Sequence, residues 1–359
     1  MTDAEVLALH RDLVAIPSLS HQEQAVCGHL EHHLRALGVQ VERFGDNLFM
    51  AHGEGPVLCL NSHLDTVPPA TGWTRPPHEV QVKEGRVYGL GANDAKASVA
   101  AMVAAFVRLK ARPLGVRLLL TLVCEEETGG KGAEMLVPEL ARRGLHPEAV
   151  IVGEPTGLDI AVAQKGLLVL ELRETGRACH AAHGHALGAS NALRTLARDL
   201  VALDGVDLGP SHLELGPVTL EPTLARGGSA RNSIPAEASC ILDVRTNPAP
   251  THAQTVERLR AVVKGELAVL SDRLRPTEIA ADHPLVRAAQ KARPEAKCFG
   301  SRGLSDLVFF APTPAIKVGP GQTERSHAPD EFVLESELLE GARFYERAVQ
   351  AFAASRSRS

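Results

Sequence analysis

Five short apolar runs, each followed within a few residues by a histidine or a carboxylate, constrain this chain more than any other feature. The runs are residues 57–60, the segment leading to Tyr88, and residues 116–123, 149–152 and 315–318. Beyond them come His63, Asp94, the triplet Glu125, Glu126 and Glu127, then Glu154 and His327. Apolar runs of this length, bounded by turn residues, read as buried strands. In open α/β sheets the reactive groups collect outside the carboxyl ends of the strands, so residues far apart in sequence converge on one crevice. Two imidazoles and several carboxylates in one crevice are a ligand set for a pair of hard-to-borderline divalent ions such as zinc, cobalt or manganese.

The segments between the runs support such a sheet. An initial helix stops at Pro17, and Ser20 with Glu23 reads as a capping box opening a second helix that ends at Gly38. A strand is expected at residues 39–43. Residues 95–111 are Ala/Val-rich at helical spacing, which puts Asp94 beside a helix N-terminus, where a carboxylate is favoured. A helix at 131–143 between the strands at 116–123 and 149–152 completes a βαβ rhythm, the pattern of a largely parallel sheet flanked by helices.

The rhythm changes at Leu167. A strand at 167–174, a helix at 189–203, strands at 212–220 and 238–245, a helix at 252–265 and a last strand before Pro276 spell βαββαβ, the split βαβ of a ferredoxin-like module. The expected architecture is α/β, with a split catalytic domain of residues 1–166 and 276–359 and an inserted α+β domain of residues 167–275. Ligands up to Glu154 and at His327 then meet across the insertion.

A chain of 359 residues, 44% of them hydrophobic, supports two cores of this kind. The net charge of -5 leaves no basic footprint for nucleic acid, and no apolar run reaches the roughly 18 residues of a membrane span. The N-terminus lacks the basic and apolar regions of a secretory signal and reads as cytoplasmic. Cys27, Cys59, Cys124, Cys179, Cys240 and Cys298 form no C-x-x-C pair and read as small core residues in a reducing compartment. The Arg/Ser alternation at residues 355–359 is expected to fray.

Five motifs carry a resemblance that covers nearly the whole chain. They are Ser62-His63-Leu64-Asp65-Thr66-Val67-Pro68, Gly89-Leu90-Gly91-Ala92-Asn93-Asp94-Ala95-Lys96, Glu125-Glu126-Glu127-Thr128-Gly129-Gly130, Gly153-Glu154-Pro155-Thr156 and Ser326-His327-Ala328-Pro329-Asp330-Glu331. In order and spacing they resemble the superfamily of dinuclear metallohydrolases that includes acetylornithine deacetylase, succinyl-diaminopimelate desuccinylase and aminoacylase. The resemblance implies two divalent ions, Zn2+ or Co2+, with His63 and Glu154 on one, Glu127 and His327 on the other, and Asp94 bridging. It implies Glu126 as general base, Asp65 as the carboxylate that orients His63, and a cis peptide after Asp94. The inserted domain resembles a lid and dimerisation domain, which implies a homodimer. There His180 aligns with a histidine that crosses to the partner subunit's site and stabilises the oxyanion, and Asn232 and Arg245 align with residues that bind the substrate. The planar fork of Arg245 suits an α-carboxylate, so the implied substrate is a small N-acyl amino acid.

Within the superfamily, residues 73–77 and the glycines before His327 look most like acetylornithine deacetylase, which converts N2-acetyl-L-ornithine to L-ornithine and acetate in arginine biosynthesis. Asp306 is then a candidate partner for the δ-amine. Acetylcitrulline, carrier-linked lysine or ornithine, and succinyl-diaminopimelate remain alternatives, the last with Arg231 or Arg302 as cationic contacts. A di- or tripeptidase and a non-catalytic metal-binding scaffold are further readings. Cys124 stands where the family has Asp, and a one-residue shift of register would make Glu125 the base.

Blander readings compete with each motif. An isolated His-x-Asp is usually a hydrogen-bonding pair, and consecutive glutamates are usually a solvated charge run. The cluster Cys179, His180, His183 and His185 fits no common structural-zinc spacing. Asp94 occupies the third glycine position of a dinucleotide fingerprint, and Gly132 follows Gly130-Lys131 where a phosphate loop needs Ser or Thr. His10, His21, His29, His32 and His33 lie on the N-terminal helices and read as exposed, without a role.

Overall fold

The computed structural model describes residues 1–356, so residues 357–359 of the terminal Arg/Ser segment lie outside the described residues, while Ser355 and Arg356 close the last helix. The chain forms two compact units, one of residues 1–162, 278–299 and those from Ser305 onward, the other of residues 163–277 and 300–304.

In the first unit, strand Val57–His63 runs parallel to its neighbours Arg117–Val123 and Pro147–Val152, and Ala315–Lys317 extends the parallel set beside Pro147–Val152. Asn47–His52 joins antiparallel to Arg117–Val123 and carries the short hairpin strand Glu42–Phe44. Every residue of Val57–His63 is buried, because both faces of the sheet are covered. Leu58, Leu60, Leu118, Leu120, Leu122 and Ile151 pack with helices Asp3–Ala15, Gln24–Ala36, Lys96–Leu109, Pro284–Ala292 and Glu335–Arg356. Cys59, Leu119, Val123, Val150 and Val152 point the other way, into a second core with helix Lys131–Arg142.

Three local expectations change. The strand expected at 39–43 is only Glu42–Phe44, and the longer Asn47–His52, which pairs with the sheet, was not expected. The segment leading to Tyr88 does not join the main sheet: Arg86–Tyr88 lies between Gln81–Lys83 and Phe332–Leu334 in a small antiparallel sheet. Ser20 and Glu23 make no capping box, since Glu23 is itself the N-cap residue and makes no side-chain cap. Capping boxes stand instead at Thr2 with Glu5 and at Thr251 with Gln254.

The second unit is a four-stranded antiparallel sheet in the order Thr219–Gly227, Glu237–Thr246, Gly166–Thr175, Glu266–Leu274. Helices Ala192–Leu203 and His252–Arg260 complete the ferredoxin-like βαββαβ order. Leu168, Leu170, Leu172, Cys240, Leu242 and Val244 alternate onto the helix-bearing face. The strand expected at 212–220 starts later, at Thr219, because His212 and Gly216 close a tight turn with backbone bonds of 3.0 and 2.9 Å. All six cysteines are free, and no helix among the described residues is long and apolar enough to cross a membrane.

Candidate active site

His63 is the last residue of the central strand and is 1% exposed. Its Nδ1 lies 3.0 Å from the Asp65 carbonyl oxygen and 3.4 Å from Asp65 Oδ1, so the proton on Nδ1 is directed to Asp65 and Nε2 faces the crevice. Asp65 does more than orient that ring. Its Oδ1 accepts the amide of Glu126 at 3.0 Å, and its Oδ2 accepts the amide of Glu127 at 3.1 Å and the hydroxyl of Ser20 at 2.7 Å. Burial alone would raise the Asp65 carboxyl, but the hydrogen bond and charge of His63, together with those donors, hold it below the usual range.

The acidic triplet follows the end of strand Arg117–Val123. Glu125 adopts φ 57°, donates its amide to Glu23 Oε1 at 3.0 Å and turns its carboxylate to His21, 3.3 Å away. Glu126 and Glu127 therefore face His63, and Gly130, at φ 72°, makes the turn into helix Lys131–Arg142. A Cβ on Gly130 would collide with the Phe309 ring.

Asp94 arrives from a loop between the small sheet and helix Lys96–Leu109. The buried Glu331 carboxylate gathers that loop by accepting the amides of Gly91 at 3.1 Å, Asn93 at 2.8 Å and Asp94 at 2.9 Å. The Asp94–Ala95 peptide is cis, as the resemblance implied. Lys96 donates to the carbonyls of Leu13 and Ile16, both at 2.9 Å, and so ties the same loop to the first helix. Asn93 donates to Gln322 O and Ser326 Oγ, which links the loop to the turn that presents His327.

These elements converge. His63 Nε2 lies 3.2 Å from Asp94 Oδ1 and 3.8 Å from Glu154 Oε1, and His327 Nε2 lies 3.0 Å from Glu127 Oε1 and 3.8 Å from Asp94 Oδ2. Ligands about 2.1 Å from a tetrahedral zinc ion stand about 3.4 Å from one another, so both trios have the spacing a divalent ion requires. Asp94 offers one oxygen to each trio, the disposition of a bridging carboxylate. Burial, then the charge of Asp94, pushes Glu154 up to about 8, and burial, then Glu154, pushes Glu126 well above the usual carboxylate range. The hydrogen bond that His327 donates to Glu127 lifts it to about 9. Such crowding of carboxylates at a buried position suits cations.

His180, Asn232 and Arg245 lie in the inserted unit. His180 precedes a 3-10 turn, accepts the amide of Ala182 on Nδ1 at 3.2 Å and is exposed. Asn232 is beside it, its carbonyl accepting the amide of Ala181 at 2.9 Å. Arg245 is held by Asp243, with Nε to Oδ1 at 2.7 Å and Nη2 to Oδ2 at 3.1 Å. Asp306, in the first unit, is 1% exposed, accepts Asn61 Nδ2 at 3.2 Å and leaves Oδ1 without a hydrogen bond.

Sequence reasoning missed Ser20, Glu23 and Glu331 as supports of this cluster. Glu331 sits four residues after His327 within a quoted motif, so its place could have been flagged; Ser20 and Glu23 carried only a misleading helix-cap signal.

A split, mostly parallel α/β sheet that collects two histidines and four carboxylates beyond its strand ends, with an antiparallel module inserted, is the build of a metal-dependent hydrolase. Residues 59–351 match peptidase family M20/M25/M40, and the chain belongs to that family. Succinyl-diaminopimelate desuccinylase of Novosphingobium aromaticivorans is 31% identical, over 97% of this chain and 98% of that protein, and the Acidiphilium cryptum enzyme of the same name is 33% identical over 73% of each. A tripeptidase from Staphylococcus aureus shares the fold, with a TM-score of 0.80 at 22% identity and 99% of each chain covered.

Proposed function

We propose that this chain hydrolyses the amide bond of a small N-acyl amino acid, with N2-acetyl-L-ornithine as substrate and L-ornithine and acetate as products. The observation that carries the hydrolytic reading is the place of Glu126, whose carboxylate joins His63 and Glu127 in a group of potential ligand atoms within 4.8 Å of one another. His63 and Glu154 would hold one divalent ion, Glu127 and His327 a second, with Asp94 between them. Two such cations, Zn2+ or Co2+, would polarise the acyl carbonyl and make a nearby water more acidic. Glu126 takes the proton from the attacking water and returns it to the leaving amine, while Asp65 keeps the Glu126 backbone in place. Glu125, turned to His21, is poorly placed for that role.

In the inserted unit, His180 would stabilise the oxyanion of a partner subunit's site, Asn232 would bind substrate, and Arg245 would take the α-carboxylate in exchange for Asp243. The unit would act as a lid and as the contact of a homodimer. Asp306, with its unpartnered Oδ1, is the acceptor proposed for the δ-ammonium group. N-succinyl-diaminopimelate is the second reading, favoured by the relatives at 31–33% identity, with Arg231 or Arg302 as contacts for the additional carboxylates.

The test is the initial rate of amine release from N-acetylornithine, N-acetylcitrulline, N-succinyl-diaminopimelate, a carrier-linked lysine and a dipeptide, with metal stripped and then restored as zinc or cobalt. Metal-dependent turnover strongest on N-acetylornithine supports the full reading. A preference for another acyl amine or for the dipeptide replaces the substrate, and silence on all with metal bound overturns the hydrolase.

A further inference from the structure

Helix Gln24–Ala36 carries His29 and His33 one turn apart, and neither belongs to the cluster described above. Contrary to the expectation of exposed side chains, both are half-buried. Their rings stand 6.3 Å apart at an interplanar angle of 19°, and the Nε2 atoms of both are buried without a hydrogen-bond partner. Buried polar atoms are seldom left so, and two adjacent orphans of the same kind call for a common partner. Burial, then the neighbouring His29, holds His33 below its ordinary value, so it is neutral near pH 7 and keeps a lone pair. Val6, Leu9 and Leu13 of helix Asp3–Ala15 belong to the same apolar core as Leu30 and Leu34. That helix supplies Glu5 and Asp12, the carboxylates whose charges act on His33.

We propose that His29 and His33 form a second metal site, taking one borderline divalent transition-metal ion on their two Nε2 atoms, with Glu5 or Asp12 on the facing helix balancing its charge. Side chains four residues apart on a helix lie on the same face, so two imidazoles there can share one ion at the roughly 2.0–2.1 Å that each nitrogen requires. With imidazole as the main donor, the order of affinity follows Cu2+ above Ni2+ and Zn2+. The site is independent of the hydrolase reading, because it shares no residue with the catalytic cluster.

Equilibrium dialysis of the full chain, loaded with only two equivalents of Zn2+ and then exposed to Cu2+ or Ni2+, reads the stoichiometry. The expected result is one further equivalent that the His29→Gln, His33→Gln pair weakens by at least about tenfold, since losing even an outer hydrogen-bond partner of a ligating histidine costs about 10- to 100-fold. Amide hydrolysis by the zinc-loaded enzyme stays unchanged in that variant, which separates failure here from failure of the proposed function. Should the variant fold poorly, histidine acylation of the wild-type chain, mapped by mass spectrometry with and without Cu2+, gives the same answer through protection of both residues. No further equivalent in the wild type, one that the variant keeps, or acylation of both residues unaffected by Cu2+ overturns the site.

Discussion

The carboxylate of Asp65 accepts the backbone amide of Glu126 at 3.0 Å, and with its second oxygen it accepts that of Glu127 at 3.1 Å. One side chain thus sets the His63 ring and the two acids that follow strand Arg117–Val123. Asp65→Asn would replace one acceptor oxygen by a donor facing those amides. The expected outcome is a fall of roughly 10- to 100-fold in both metal affinity and kcat/KM. Zinc titration with steady-state kinetics checks it, and unchanged affinity would show that His63 and Glu127 hold their positions without Asp65.

Glu126→Gln should separate binding from turnover. The amide keeps the shape of the side chain but cannot carry the proton, so metal content stays near that of the wild type while kcat falls by about 10²- to 10⁴-fold. Metal analysis beside single-turnover kinetics decides it; turnover near the wild-type rate sinks the general-base role.

Glu331 holds three amides of the Asp94 loop. Glu331→Ala strands buried donors, each costing about 1–3 kcal/mol, so the chain should lose at least about 3 kcal/mol of stability. Urea unfolding measures this, and a loss under about 1 kcal/mol would mean that water or another acceptor replaces the carboxylate.

His10 is fully buried, donates through Nε2 to Ala92 O at 2.8 Å and leaves Nδ1 unpartnered, and burial lowers it to about 4. The folded value lies below the ordinary 6.5, so the native state excludes the proton. Its contribution is present above about pH 6.5 and is lost as pH falls through 4. His10→Gln, which cannot charge, should show a shallower loss of stability between those values, read by denaturant midpoints at a series of pH values.

The inserted unit has the opposite dependence. Glu174 is 5% exposed, and burial, then the neighbouring Asp199, raises it to about 7. Asp199 in turn accepts the amides of Lys264 at 2.6 Å and Gly265 at 2.9 Å. A folded value above the ordinary 4.5 means that the native state favours the proton, so this stability is full below about 4.5 and is lost as pH rises through 7. Hydrogen exchange along strand Gly166–Thr175 should quicken over that range in the wild type and much less in Glu174→Gln. Equal slopes in the two proteins would remove Glu174 as the cause.

The strands and the donors beyond them were legible in the chain, whereas the supports Ser20 and Glu331 were not. The continuous apolar runs at residues 57–60 and 116–123, and the order of His63, Asp94, Glu126, Glu127, Glu154 and His327, were enough to expect a parallel sheet with those donors beyond its strands. Side-chain periodicity and strand direction are local properties, so they survive in one dimension. The four-stranded inserted module was readable for the same reason, its βαββαβ order being set by the sequence of periods.

The partners of the supporting polar groups were not readable. Ser20 and Glu23 fit a helix-cap pattern, yet the first meets Asp65, 45 residues away, and the second the amide of Glu125, 102 residues away. Glu331 bonds to amides more than 230 residues earlier, and the apparently exposed His10 is fully buried. By itself the sequence determined which side chains are available and on which face of which element they start. Only the tertiary structure decided which buried donor each carboxylate would satisfy, because that choice depends on how the packed elements bring distant backbone amides together once water is excluded.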